Sequence, residues 1–198
     1  MARNVKLRRS DWDVASIPDH AQAAALIRAW HYAGGAPNTS VYRHGLFRVG
    51  LFQPCQGVAM WLPPTKSAGV AVAGDDWRGV LTLTRFVIDP DAPSNAASFL
   101  LGRSMRLIDR ARWPVLITYA DTNQGHTGAI YKATNWTCDG PTPAGDTWTM
   151  PDGSQCGRKR GARNLTVAEM RAMGAVRNPA MPKIRFRHDK RTTLERAA

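Results

Sequence analysis

The stretch from Leu81 to Trp136 constrains the fold more than any other part of the chain. Leu81–Ile88 is a mostly apolar run with interleaved threonines, the pattern of a strand covered on both faces. Pro90 and Pro93 stop it. Ser94 or Asn95 can then cap a helix, because each side chain can accept a bond from an orphan N–H of the first turn. Ala97, Leu101, Met105 and Ile108 recur at helical spacing and define one apolar face, widened by Leu100 and Leu107. Arg103, Arg106 and Arg110 recur on another face. Pro114–Tyr119 is a second apolar strand closing on Ala120 and Asp121, and a Gly/His turn leads to a short helix carrying Tyr131. Strand, helix and strand at this spacing predict a parallel, right-handed crossover. Ligands in such sheets bind where the carboxyl ends of the strands open.

The flanking sequence predicts one mixed α/β domain over residues 1–188, with a central, partly antiparallel sheet flanked by helices. Its 198 residues suffice for a sizeable core. A first strand is expected around Val5–Leu7 and a helix over about 18–32, ending on His31-Tyr32 beside the Gly34-Gly35 loop. Residues 39–62 read as a hairpin or meander turning at 53–56, and Pro63–Gly79 as a long Pro/Gly/Ala loop. Further on come a sixth strand near Thr147–Met150 and a basic, Gly-rich loop over Pro151–Gly161. A capping box at Thr166–Glu169 opens a short helix to Met173, and a last strand covers Met181–His188. Residues 189–198 are expected to form a disordered basic tail.

Net charge is +12, and the last 48 residues hold twelve Lys and Arg against four acids. A one-sided field of this kind points to a polyanion, nucleic acid before membrane. Arg158, Lys159, Arg160 and Arg163 in the Gly-rich loop, and Lys183, Arg185 and Arg187 on the last strand, are the candidate DNA contacts. Three cysteines without metal-site spacing fit a reducing compartment, and no apolar run approaches ~20 residues. The expected location is the cytoplasm, with no membrane partner.

Arg85 stands in an apolar strand and calls for a carboxylate or a cleft; Asp121, at the end of the neighbouring strand, is its natural partner. Asn95 and Ser98 fall at the start of the crossover helix, where N–H groups and the helix dipole favour an anion, so they are candidate cofactor contacts. Asp121, His126 and Tyr131 surround the mouth of the second strand.

These residues carry two resemblances. Strand, helix, strand and a short helix with Tyr131 five residues before Trp136 resembles the core of the Gcn5-related N-acetyltransferase (GNAT) fold. LTRFVIDPDAPSNAASFLLGRSMRLI, then ITYAD, GHTGAIYKATNW and DGPT, with His31-Tyr32 upstream, is similar to the phage-encoded Mom DNA-modification family. The GNAT resemblance implies that Tyr131 protonates a leaving thiolate. The Mom resemblance implies a DNA adenine N6-modifying enzyme acting on double-stranded DNA in the host cytoplasm. Its product would be a carbamoylmethyl adenine that protects phage DNA from restriction, with Arg85, Ser98, Asp121, Tyr131, His31 and Tyr32 as catalytic candidates. The adenine would have to leave the base stack to be reached.

GNAT enzymes hold the coenzyme A pyrophosphate with a Q/R-x-x-G-x-G/A turn, but Asp89–Ser98 contains no glycine. An acetyl group is also not a carbamoylmethyl group. The donor candidates are therefore acetyl-CoA or another acyl or glycyl donor. Iron held by His31, Tyr32 and Asp121 is a further expectation. A homodimer is a further expectation. Two rival readings stand beside it: a conventional GNAT N-acetyltransferase using acetyl-CoA on a protein or small-molecule amine, and a non-catalytic DNA-binding protein on this scaffold.

Overall fold

A computed structural model describes residues 6–50, 54–160 and 163–191. The tail beyond Arg191, Val5 of the expected first strand, and part of the expected 53–56 turn lie outside the described residues. The strands are β1 (Trp12–Ser16), β2 (Tyr42–Arg48), β3 (Cys55–Leu62), β4 (Val80–Ile88), β5 (Val115–Asp121) and β6 (Thr137–Pro141). Five two-residue strands follow: β7 (Trp148–Thr149), β8 (Gln155–Cys156), β9 (Lys159–Arg160), β10 (Arg163–Asn164) and β11 (Val176–Arg177). The last is β12 (Lys183–Asp189). The helices are α1 (His20–Trp30), α2 (Lys66–Ala73), α3 (Ala96–Leu107), α4 (Ala129–Ala133) and α5 (Val167–Ala172).

Seven strands form one sheet in the order β1-β2-β3-β4-β5-β12-β6. Only β4 and β5 pair in parallel; the other neighbours are antiparallel. Strand alternation divides the core between the two faces. Ala59, Trp61, Leu81, Leu83 and Leu116 pack with Leu100, Leu101 and Met105 of α3. Val58 and Met60 pack with Ala23 and Ile27 of α1, and Val80, Val115 and Ile117 with Val72 and Ala73 of α2. Fully burying each large apolar side chain stabilises by roughly 1.5–3 kcal/mol, so this two-sided core is what fixes the register.

Two features of the sheet shape its centre. The β4–β5 ladder runs from Val80↔Val115 to Leu83↔Thr118 and then stops, although both strands continue. Beyond that point they splay. At the same level β4 bulges: Met60 faces Arg85 and Trp61 faces Leu83, leaving Thr84 unpaired. One extra residue reverses the alternation. Leu81 and Leu83 point to the α3 face before the bulge, Phe86 and Ile88 after it, and Val87 moves to the α1 face.

Several expectations are corrected. Pro63–Gly79 is not a loop: Thr65 caps α2, its hydroxyl accepting from Ala68 N, and a 3₁₀ segment follows over Gly74–Gly79. The first described strand is Trp12–Ser16. Trp148–Thr149 joins β8 and β11 in a separate three-stranded sheet, with Trp148, Leu165, Met170 and Ala175 as a small core of their own. The Thr166–Glu169 capping box is present, with both reciprocal bonds made.

Candidate functional site

The splay opens a cleft of about 480 Å³. Its floor comes from Leu83, Thr84, Phe86 and Ile88 on β4 and Thr118 and Tyr119 on β5. His31 and Tyr32 enter from the end of α1, Ala97 from α3, and Gly125–Tyr131 from the turn into α4. The last approach requires Gly128. Its φ is +74°, and a side chain there would overlap the ring of Phe186 on β12.

Asp121 ends β5 behind this cleft and is 5% exposed. Its carboxylate accepts from the Tyr32 hydroxyl at 3.1 Å and from Asn123 N at 3.1 Å, and pairs with Lys183 Nζ at 2.8 Å. Lys183 stands directly across the β5–β12 ladder from it. Burial by itself raises the Asp121 pKa. The bond and charge of Lys183, together with the Tyr32 and Asn123 bonds, outweigh that and bring it below the usual carboxylate value. Asp121 is thus ionised at neutral pH. Burial, then the Asp121 charge, pushes the Tyr32 phenol up to about 12. Burial also raises the Tyr131 phenol, a hydrogen bond with Thr118 partly offsetting it.

His31 stacks on Tyr32 with ring centroids 4.4 Å apart. Burial, followed by the charge of Arg85, lowers its pKa to about 4, so the ring is neutral. Its Nδ1 accepts the N–H of Ala33 at 3.0 Å, which assigns the remaining proton to Nε2. In this arrangement His31 is a donor toward the cleft.

His31, Tyr32, Asp121 and Tyr131 therefore come together, with His126 edge-on to Tyr32 at 5.9 Å. The other expected residues do not join them as foreseen. Arg85 is not the partner of Asp121; its Nε donates to Gly35 O at 2.7 Å and its Nη1 to Thr84 O at 2.8 Å, tying the loop after α1 to the bulge. Asn95 accepts from Leu7 N at 2.6 Å, and Ser98 donates to Asn95 O at 3.0 Å. Both line a different cavity. Lys183, expected to touch DNA, is the residue missed at this site. The alternation of β12 marked its face as basic, but pairing with Asp121 is a long-range register that the sequence does not display.

The iron set does not fit. Nε2 of His31 carries a proton, and an ammonium already occupies the Asp121 carboxylate. Among the described residues no group of three or more His, Cys, Asp or Glu is placed to hold a metal. A coenzyme A pyrophosphate would rest on the start of α3 rather than on a Gly-rich turn. In the β4–α3 loop Pro90 and Pro93 have no N–H, and those of Asp91, Ala92 and Ala96 are bonded within the loop. The β4–β5 splay, by contrast, is open.

Most of the expected DNA contacts are engaged with acids. Arg185 and Arg187 share Asp139 at 3.0 and 3.2 Å, and Arg163 binds Glu169 through two bonds. Arg158 lies 3.8 Å from Asp146. Arg160 donates to Gly157 O, Lys159 O and Cys156 Sγ. Lys159 is exposed.

The sequence model of the Mom protein family matches residues 11–186. The chain belongs to the Mom family. No curated protein sequence matches it significantly. The fold is that of N-acetyltransferases of the GNAT type. The ribosomal-protein-S18-alanine N-acetyltransferase of Escherichia coli superposes with a TM-score of 0.52 at 11% identity, over 90% of this chain and 93% of that one. Spermidine N-acetyltransferase of Vibrio cholerae, solved with CoA and spermine, gives 0.53 at 7%, over 94% and 99%. A Salmonella typhimurium protein solved with its cofactor acetyl-CoA gives 0.54 at 9%, over 90% and 94%. No described helix of this Mom family member is long and apolar enough to cross a membrane.

Proposed function

We propose that this Mom family protein is a group-transfer enzyme that converts adenine in duplex DNA to its N6-carbamoylmethyl form. The observation that carries the reading is the Tyr32–Asp121 bond at an aromatic-rimmed cleft between splayed strands. The cleft lies within the ~300–1,000 Å³ range of small-molecule sites, and its Tyr and His rings suit an extruded base. The N6 amine is a weak nucleophile that must lose a proton as its new bond forms. The Tyr32 oxygen can accept that proton while its own passes to Asp121, the carboxylate held ready by Lys183. Tyr131, protonated at neutral pH, serves as proton donor to the departing group.

Attaching a carbamoylmethyl group makes an N–CH₂ bond rather than an amide, so the donor need not be acetyl-CoA. The conventional acetyltransferase reading is supported by one observation, the open β4–β5 splay. The lack of a Gly-rich turn before α3 weighs against it. Restriction sensitivity tests the proposal. Plasmid from cells expressing the parent should resist endonucleases blocked by modified adenine, and plasmid from cells expressing Tyr32→Phe should be cut. Full cutting with the parent would remove the proposal.

A further inference from the structure

α3 borders a second cavity, of about 600 Å³, that the proposed chemistry does not use. Ala129–Tyr131 of α4 line the first cleft, whereas Ala133, Thr134 and Asn135 line this groove, so α4 stands between the two. Arg9, Arg106, Arg110, His188 and Lys190 line the groove, and no acidic residue does. Arg9, Arg106 and Lys190 are exposed and have no carboxylate partner among the described residues. Arg110 is held in place by Pro114 O at 2.7 Å and His188 O at 3.1 Å, yet its Nε and Nη1 are buried without an acceptor. Burial lowers its pKa to about 10, which leaves it charged at neutral pH. A half-buried guanidinium with two unbonded nitrogens, its charge only partly offset by Asp189, stands beside three exposed cations and a histidine and focuses positive potential in the groove.

We infer that this groove seats the phosphate backbone of a nucleic acid, so that DNA approaches over α3 rather than across β12. The inference rests on the DNA-modifying reading. Two observations favour a polymer over a small phosphorylated ligand. The β12 arginines already share Asp139, whereas Arg9, Arg106 and Lys190 of this groove have no carboxylate partner among the described residues. The wall from Ser98 to Arg106 spans about 12 Å of helix at ~1.5 Å per residue. Over that length one DNA strand presents several phosphates, one per ~3.4 Å of axis. A single phosphate would occupy one end only.

The test is fluorescence anisotropy of a labelled duplex over a range of salt. The triple variant Arg9→Ala/Arg106→Ala/Lys190→Ala, at exposed positions, should bind at least tenfold more weakly. Its salt slope should fall by about 2.7, at ~0.9 per phosphate contact. Arg185→Gln/Arg187→Gln should keep the parental slope. An unchanged slope in the triple variant, or a slope lost in the β12 pair instead, overturns the inference while leaving the DNA reading intact. Pyrophosphate, followed by calorimetry, is the second arm. If the parent binds pyrophosphate but no duplex, and the triple variant binds neither, the groove is a small-anion site and the DNA reading fails with the backbone assignment.

Discussion

Replacing Lys183 with Met should cost stability in a way that depends on pH, because Lys183 is the cation against which Asp121 is buried. The Asp121 side chain is 8% exposed and that of Lys183 42%. Removing one partner of a fully buried pair costs about 3–5 kcal/mol, and exposed pairs contribute about 0–1 kcal/mol. With one buried and one half-exposed partner, about 1–3 kcal/mol is expected at pH 7. In the parent, Asp121 titrates below its unfolded value. It therefore stabilises the fold above about pH 4, and that contribution is lost as pH falls through its folded pKa. In Lys183→Met the desolvation remains and the ammonium is gone, so the carboxyl titrates higher than in the parent. The difference between the two proteins should be full at pH 7 and vanish once both carboxyls are protonated. Urea denaturation at pH 7 and pH 3 measures it. An equal loss at both pH values would mean that Lys183 acts through packing, and the ion-pair account of Asp121 would be withdrawn.

Other outcomes follow from the same geometry. Gly128→Ala should destabilise by about 1–3 kcal/mol, through overpacking against Phe186 and a positive φ; an unchanged urea midpoint would show that the turn moves freely. His44 is buried on a 2.7 Å contact to Ser104, and burial lowers its pKa from 6.5 to about 4. The folded state keeps it neutral while the unfolded state protonates first, so stability should fall as pH drops from about 6.5 toward 4, by up to about 3 kcal/mol. A His44→Asn variant whose pH profile keeps the parental slope in that window would refute the assignment. Asp121→Asn and Tyr131→Phe should each abolish DNA modification while melting cooperatively; parental activity in either would remove that residue from the chemistry.

The local elements were legible because their signals are local. The apolar period of α3, the threonine-spaced β4 and the PVLITY strand are read directly from neighbouring residues, and the structure places them within a residue or two. α2 was not, since KSAGVAVA contains a glycine and no amphipathic period; Gly69 is there because a side chain would press on Trp77. The bulge at Thr84 and the insertion of β12 between β5 and β6 come from long-range pairing. Those two features decide the site's partners. They give Asp121 to Lys183 rather than to Arg85, and they let Arg85 brace the loop after α1. Likewise the surplus of positive charge was visible in the sequence, but not which cations the fold neutralises. Asp139 and Asp146 meet their arginines only through β12 and through the small C-terminal sheet.

Mass spectrometry of nucleosides from plasmid DNA co-expressed with this protein tests the central claim most directly. The account predicts a deoxyadenosine heavier by one carbamoylmethyl group, with fragmentation placing the addition on the base, and its absence when Tyr32→Phe replaces the parent. Only unmodified deoxyadenosine in the parental sample, or an addition on another base, would contradict it.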